Sequence, residues 1–212
     1  MDNLLKQAQA PITWNLAWEE RIYKRKLLLG MVVLIVLLCF LPSFFNSIEN
    51  RKGIELNDRL LSHLPAYNLS IPIFVIIWGM GIFAIYRSLQ NPSIFLLLLW
   101  SFIGMSLLRM ITLYFFQLEA PLGLIALKDP VTSVFYGNRI ITKDLFFSGH
   151  TATQFLFFLS LQKREDKLVA LVTTIAIGMM VLIQHVHYTV DVIAAPILTL
   201  LAFWLTKKLA NI

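Results

Sequence analysis

Apolar stretches long enough to cross a bilayer recur along this chain of 212 residues, at about 27–46, 70–86, 93–116, 145–161, 168–183 and 188–205. A helix needs about 20 mostly apolar residues to cross the hydrocarbon layer. The recurrence therefore predicts an all-α, polytopic membrane protein with six transmembrane helices. Several runs sit near the lower length limit, so their ends are expected to extend into adjoining polar residues. The bulk composition agrees: 58% hydrophobic, only 14% charged, and a mean hydropathy of +0.74, outside the range of soluble domains.

Two connections are long, 47–69 and 118–144, and both fall on one side if all six runs cross. Orientation follows from Lys and Arg. One side carries Lys6, Arg21, Lys24, Arg25, Lys26, Arg87, Lys163, Arg164, Lys167, Lys207 and Lys208; the other carries Arg51, Lys52, Arg59, Lys128, Arg139 and Lys143. Eleven against six predicts both termini in the cytoplasm. The formal charge of +6 is read as this flanking charge and not as a nucleic-acid surface.

Residues 1–26 are polar and amphipathic, with Trp14, Trp18 and Tyr23 leading into a basic end, the pattern of a helix lying in the headgroup layer. No cleavable signal peptide is expected, because the apolar run that follows is long enough to stay as an anchor. Residues 27–212 then form the membrane domain. Cys39, the single cysteine, lies inside an apolar run and is expected to fill core. "KREDK" reads as a solvated turn, and neither a nucleotide loop nor a redox motif is present.

Against this background a few polar residues stand out, because a charge at mid-bilayer costs about 3 kcal/mol or more and is kept for a purpose. In "QHVHYTVDV", His187 and Asp191 are four apart; on one helical face, the carboxylate would fix the imidazole tautomer and free its other nitrogen as base or nucleophile. On spacing alone, mutual satisfaction of two polar groups is an equal reading. In "DLFFSGHTATQF", Ser148 and Gly149 open a helix whose free N–H groups suit a phosphate, with His150 placed to protonate a leaving oxygen. Arg109, within "SLLRMITLY", brings a permanent forked cation suited to phosphate oxygens. With the orientation above, all four groups fall toward the non-cytoplasmic face. Two histidines and one carboxylate are too few ligands for a metal centre, so neither metal nor cofactor is expected.

In their order, "LLRMITLY", "DLFFSGHT" and "HVHYTVDV" resemble the signature blocks of the sphingomyelin synthase family, a branch of the type 2 phosphatidic acid phosphatase superfamily. The likeness covers roughly residues 100–206, and includes Asp144 before the serine and Thr112 and Tyr114 after the arginine. "LNDRLLSHLP" faintly echoes the family's first-loop motif. The resemblance implies a six-helix bundle of the superfamily kind with its catalytic core in about 93–206. It implies a triad of His150, His187 and Asp191; phosphate binding by Arg109, Ser148, Gly149, Tyr114 and Asp144; and a supporting role for His185, turned to another side of the helix. It further implies transfer of a phosphocholine or phosphoethanolamine headgroup from a phospholipid to ceramide or a related lipid alcohol.

The superfamily also contains lipid phosphate phosphatases. These usually carry a lysine and arginine ahead of a proline in the first motif and a serine-arginine pair before the last histidine. Here both are missing, and Val181 stands six before His187. Fewer cations suit a singly charged phosphodiester better than a doubly charged monoester, which favours transfer, unless Arg139 and Lys143 fold back to restore the charge. Phe135, Tyr136, Phe146 and Phe147 are candidates to shield the site from water, and Pro196 to loosen the last helix. Hydrolysis, or a non-catalytic lipid-binding protein, are the alternatives. The headgroup, the acceptor, the oligomeric state and the choice between a bacterial inner membrane and a secretory-pathway membrane are left open by the sequence.

Overall fold

The computed structural model describes residues 13–127 and 141–209. Among them are seven α-helices: α1 (Trp14–Glu19), α2 (Arg21–Glu49), α3 (Ser70–Gln90), α4 (Pro92–Phe115), α5 (Gly149–Ser160), α6 (Arg164–Ile183) and α7 (Thr189–Leu209), with a 3-10 turn at Leu61–His63. The helices run up and down. The described parts of both long connections lie at one end, where Ile54 and Leu118 form an isolated bridge, and the short turns 91 and 161–163 lie at the other, where Asn91 Nδ2 donates to Gln162 Oε1.

Five helices, α2, α3, α4, α6 and α7, are long and apolar enough to span a membrane. The fourth expected span does not reach that length. Helix α5 has 12 residues, about 18 Å at about 1.5 Å per residue, so the six expected spans are not confirmed. The chain enters it as irregular backbone, and Leu145 and Phe147 are spent on the core as loop residues, 1% and 0% exposed. Ser148 starts the helix as its N-cap, accepting from Thr151 N–H.

The first span begins earlier than expected, at Arg21, after a break in which Glu20 is extended. Residues 13–26 are fixed to the bundle: Trp14 Nε1 donates to Leu89 O (2.6 Å), the Tyr23 hydroxyl to Pro92 O (3.1 Å), and Ala17 is buried. The interfacial segment expected over 1–26 is thus described only from residue 13. Cys39 faces outward instead of filling core. "KREDK" is more than a solvated turn: Glu165 and Asp166 sit in the first turn of α6, where the helix dipole favours acids, and Asp166 Oδ1 accepts from Arg87 Nη2 at 2.9 Å.

Helix α4 starts on Asn91, whose side chain accepts from Ser93 N–H, with Pro92 at the first position. It packs on α7 and α5 around Met105, Phe147, Ala152, Leu156, Ala195 and Ala202. The three alanines let these helices approach closely, the usual basis of association in lipid. Pro196 lies inside α7, which continues through it to Leu209.

Candidate active site

Helix α6 ends at Ile183 in a Schellman motif: Val186 N–H donates to Val181 O and His185 N–H to Leu182 O. Glycine usually occupies the left-handed position of this motif, yet here it is His185, with φ 56°. Its ring explains the choice. Nδ1 lies 2.8 Å from Leu122 O and Nε2 3.0 Å from Leu64 O, so one imidazole ties both long loops to the turn. Gly123, with φ 78°, meets that ring so closely that a Cβ would stand 3.2 Å from Nδ1.

The chain then drops back along α6 before α7 starts. His187 and Tyr188 are therefore not helical, and the pairing of His187 with Asp191 does not arise from one helical face as the spacing suggested. Asp191 is the third residue of α7, and its Oδ2 reaches back to accept Tyr188 N–H at 3.0 Å, one half of a capping box. The same oxygen lies 3.4 Å from His187 Nδ1. His187 is 1% exposed and Asp191 0%. A buried carboxylate that orients Nδ1 leaves Nε2 as the working nitrogen. The 3.4 Å separation is long, as such contacts often are before substrate tightens them.

Helix α5 is anchored to this turn through Ser148 N–H, which donates to Asp191 O at 3.1 Å. That contact sets His150 beside His187, with ring centroids 5.9 Å apart and planes at 64°. The two imidazoles therefore stand close enough to act on one bound group, as an attacking-side base and a leaving-group acid would.

Arg109 comes from α4. Its Nε donates to Phe147 O (3.0 Å) and its Nη2 to Asp144 Oδ1 (2.5 Å), which holds the guanidinium against Gly149. A Cβ at residue 149 would overlap Nη1 and Cζ of Arg109; glycine is required for the cation to reach the start of α5. Asp144 accepts from the arginine and so orients it. Thr112 Oγ1 donates to Phe146 O at 3.0 Å, tying the entry of α5 to α4.

One expected member, Tyr114, lies elsewhere, and so does Lys143, which the sequence left free to fold back or not. Tyr114 is 55% exposed near the end of α4, where its ring carries the Arg51 guanidinium at 4.8 Å; the structure does not bring it to His150 or His187. Lys143 does not fold back toward the histidines, because its ammonium donates to Glu119 Oε1 (2.9 Å) and Arg51 O. The backbone N–H of Gly53 and the Lys143 ammonium hold the Glu119 carboxyl below the usual carboxylate range. Of the proposed shielding residues, Phe147 is buried under Arg109 and Phe146 packs on Phe116. Arg139, Phe135 and Tyr136 lie outside the described residues.

The cluster is recessed. A Cβ at Gly178 would stand 3.0 Å from Val192 and 3.8 Å from Thr151, which places those three positions at one level. From there α6 rises roughly 8 Å more to Ile183, and α4 rises about 9 Å beyond Arg109 to Phe115.

Sequence reasoning overlooked Asp58. Its carboxylate accepts Thr189 N–H (2.6 Å) and the Thr189 hydroxyl (3.0 Å), capping α7 from the first long loop, while Leu60 and Leu61 N–H groups bond the same side chain. Burial pushes its carboxyl up, but these hydrogen bonds outweigh burial and lower it on balance. The available signal was "LND" before a turn, which marks an Asx-type turn and not its distant partner.

Residues 143–208 match the family model described as PAP2 superfamily C-terminal. The matched stretch contains Asp144, Ser148, Gly149, His150, His187 and Asp191, and supports the type 2 phosphatidic acid phosphatase superfamily without distinguishing its sphingomyelin synthase branch. Arg109 lies outside it. No curated protein matches the chain.

Proposed function

We propose that this membrane protein is a phosphotransferase acting on lipid phosphate esters, moving phosphocholine or phosphoethanolamine from a phospholipid to ceramide or a related lipid alcohol. Superfamily members are phosphatases or phosphotransferases, and the match over 143–208 supports that coarser class of chemistry. The observation that carries the reading is the pair of imidazoles 5.9 Å apart with a carboxylate behind one of them and a guanidinium at the helix start beside the other.

In this reading Arg109 and the N–H groups opening α5 hold the non-bridging oxygens. Asp191 orients His187, which works on the side of the attacking group, and His150 protonates the departing diacylglycerol oxygen. Two features support a phosphodiester over a monoester. Asp144 offsets part of the Arg109 charge, and Lys143 is engaged with Glu119. A pocket with this little net positive charge suits one phosphate charge better than two. The site would face the non-cytoplasmic side, as the Lys and Arg distribution predicts.

Purified protein in mixed phosphatidylcholine and phosphatidylethanolamine with fluorescent ceramide tests this. A fluorescent phospho-lipid product that disappears in His187→Ala supports the reading. Release of water-soluble phosphate or phospho-headgroup alone makes the protein a hydrolase, and lipid binding without turnover makes it a non-catalytic lipid-binding protein.

A further inference from the structure

The two long loops are bound to the catalytic turn through Gln184, His185, Tyr188 and Thr189. Gln184, fully buried, accepts Leu69 N–H (2.8 Å) and donates to Ser70 Oγ (2.9 Å) and Ile125 O (3.1 Å). His185 meets Leu64 and Leu122. The Tyr188 hydroxyl accepts Leu56 N–H (3.2 Å) and donates to Glu119 O (3.1 Å), and Thr189 donates twice to Asp58. Alternating with these bonds is an apolar cluster: Leu56 and Leu61 from the first loop, Leu118 from the second, Leu145 and Tyr188. Leu145 lies three residues before Ser148 and Tyr188 directly follows His187, so the cluster caps the recessed site from the loop-bearing end.

On the flanks the situation is reversed. Leu107 and Ile111 on either side of Arg109, and Val190 and Ile193 on either side of Asp191, are 46–61% exposed and apolar. These apolar side chains turn outward from the bundle, while the apolar cluster covers the loop-bearing end.

We propose that this latched plug selects the acceptor, with Asp58 and Tyr188 as positioning residues that hold it shut, so that a lipid hydroxyl and not water receives the phosphoryl group. The inference rests on the transfer reading above. In transfer, the phosphorus–oxygen bond to diacylglycerol is replaced by one to the acceptor hydroxyl oxygen, and the acceptor's proton ends on the diacylglycerol oxygen. With water as acceptor the same bond breaks, water's oxygen bonds to phosphorus, and the free phospho-headgroup is the product. Nothing in the triad discriminates between the two; access does.

The test is the ratio of fluorescent lipid product to released phospho-headgroup, measured on full-length protein in phosphatidylcholine and phosphatidylethanolamine with fluorescent ceramide. A ratio does not depend on how much of a preparation is folded. Asp58→Ala removes both bonds to Thr189. Tyr188→Phe keeps the buried ring and removes only the bonds to Leu56 and Glu119, so it carries the test if the first variant does not fold. Each removes at least two hydrogen bonds and is expected to shift the ratio toward hydrolysis by about tenfold or more. A ratio equal to wild type in both variants overturns the plug and leaves the transfer reading standing. Absence of transfer by the wild-type protein overturns the transfer reading, and the plug with it.

Discussion

Replacing Gly149 with alanine tests how the site holds phosphate, because the substitution adds one methyl group at the meeting point of the cation and the helix start. The added Cβ would stand 2.9 Å from Arg109 Nη2 and closer still to Nη1 and Cζ. An ordinary contact is about 3.5–4.0 Å, so the guanidinium must retreat by roughly 1 Å. The end of an arginine is normally free to do so, but this one is pinned at Nε by Phe147 O and at Nη2 by Asp144. Each bond to a charged group is worth about 1.5–3 kcal/mol, so retreat sacrifices at least part of one or displaces the phosphate. A misplacement of about 1 Å at a reacting centre costs about 100-fold in rate. Gly149→Ala should therefore lower kcat/KM for headgroup transfer by about 100-fold. The thermal midpoint in detergent should hold within a few degrees, since alanine suits a first helical turn. Full activity in this variant would refute the claim that Arg109 acts at the α5 N-terminus.

Asp191→Asn keeps an oxygen for the Tyr188 N–H but loses the charge behind His187; turnover should fall about 10³-fold or more with the fold intact, and activity within tenfold of wild type would contradict the assigned role. Gln184→Ala leaves half-buried Leu69 N–H and Ile125 O without their side-chain partner, at about 1 kcal/mol each, read as a lowered midpoint in detergent; an unchanged midpoint would mean that the loops are held elsewhere. Asp58 and Glu119 are both lowered below their ordinary range. Their contribution to loop attachment is complete above the unfolded carboxylate value near pH ~4 and is lost as pH falls through the folded values. Protection over 50–70 and 117–125, taken relative to the intrinsic exchange rate at each pH, should therefore fall on acidification from about pH 5 toward about pH 3 ahead of the helices, whereas simultaneous loss of protection everywhere would sink this account.

The membrane character of the chain was legible because apolar runs declare themselves by length alone. So was the trio of polar blocks, because Arg109, His150, His187 and Asp191 have no reason to stand in apolar runs unless they meet. What the runs do not reveal is where a helix starts within them. "DLFFSGHT" is apolar enough to count as span, yet Ser148 caps the helix there and leaves the fourth crossing too short. The spacing of His187 and Asp191 suggested the right contact for the wrong reason, since it comes from a capping box and not a helical face. Nothing local predicts a Schellman turn with histidine at its left-handed position; His185 is held there by carbonyls 63 and 121 residues away. Asp58 escaped notice for the same reason, its partner being 131 residues distant. Tyr114 was placed by analogy, and its outward direction follows from packing at the end of α4.

The central claim is that His150 and His187 grip one phosphorus atom between them. A high-resolution structure of the protein with vanadate, which mimics a phosphoryl group in transfer, tests it most directly. The account predicts vanadium between the two rings, within bonding or hydrogen-bonding reach of both imidazoles, with its equatorial oxygens on Arg109 and the first N–H groups of α5. Vanadate bound away from either histidine in an otherwise intact bundle would contradict it.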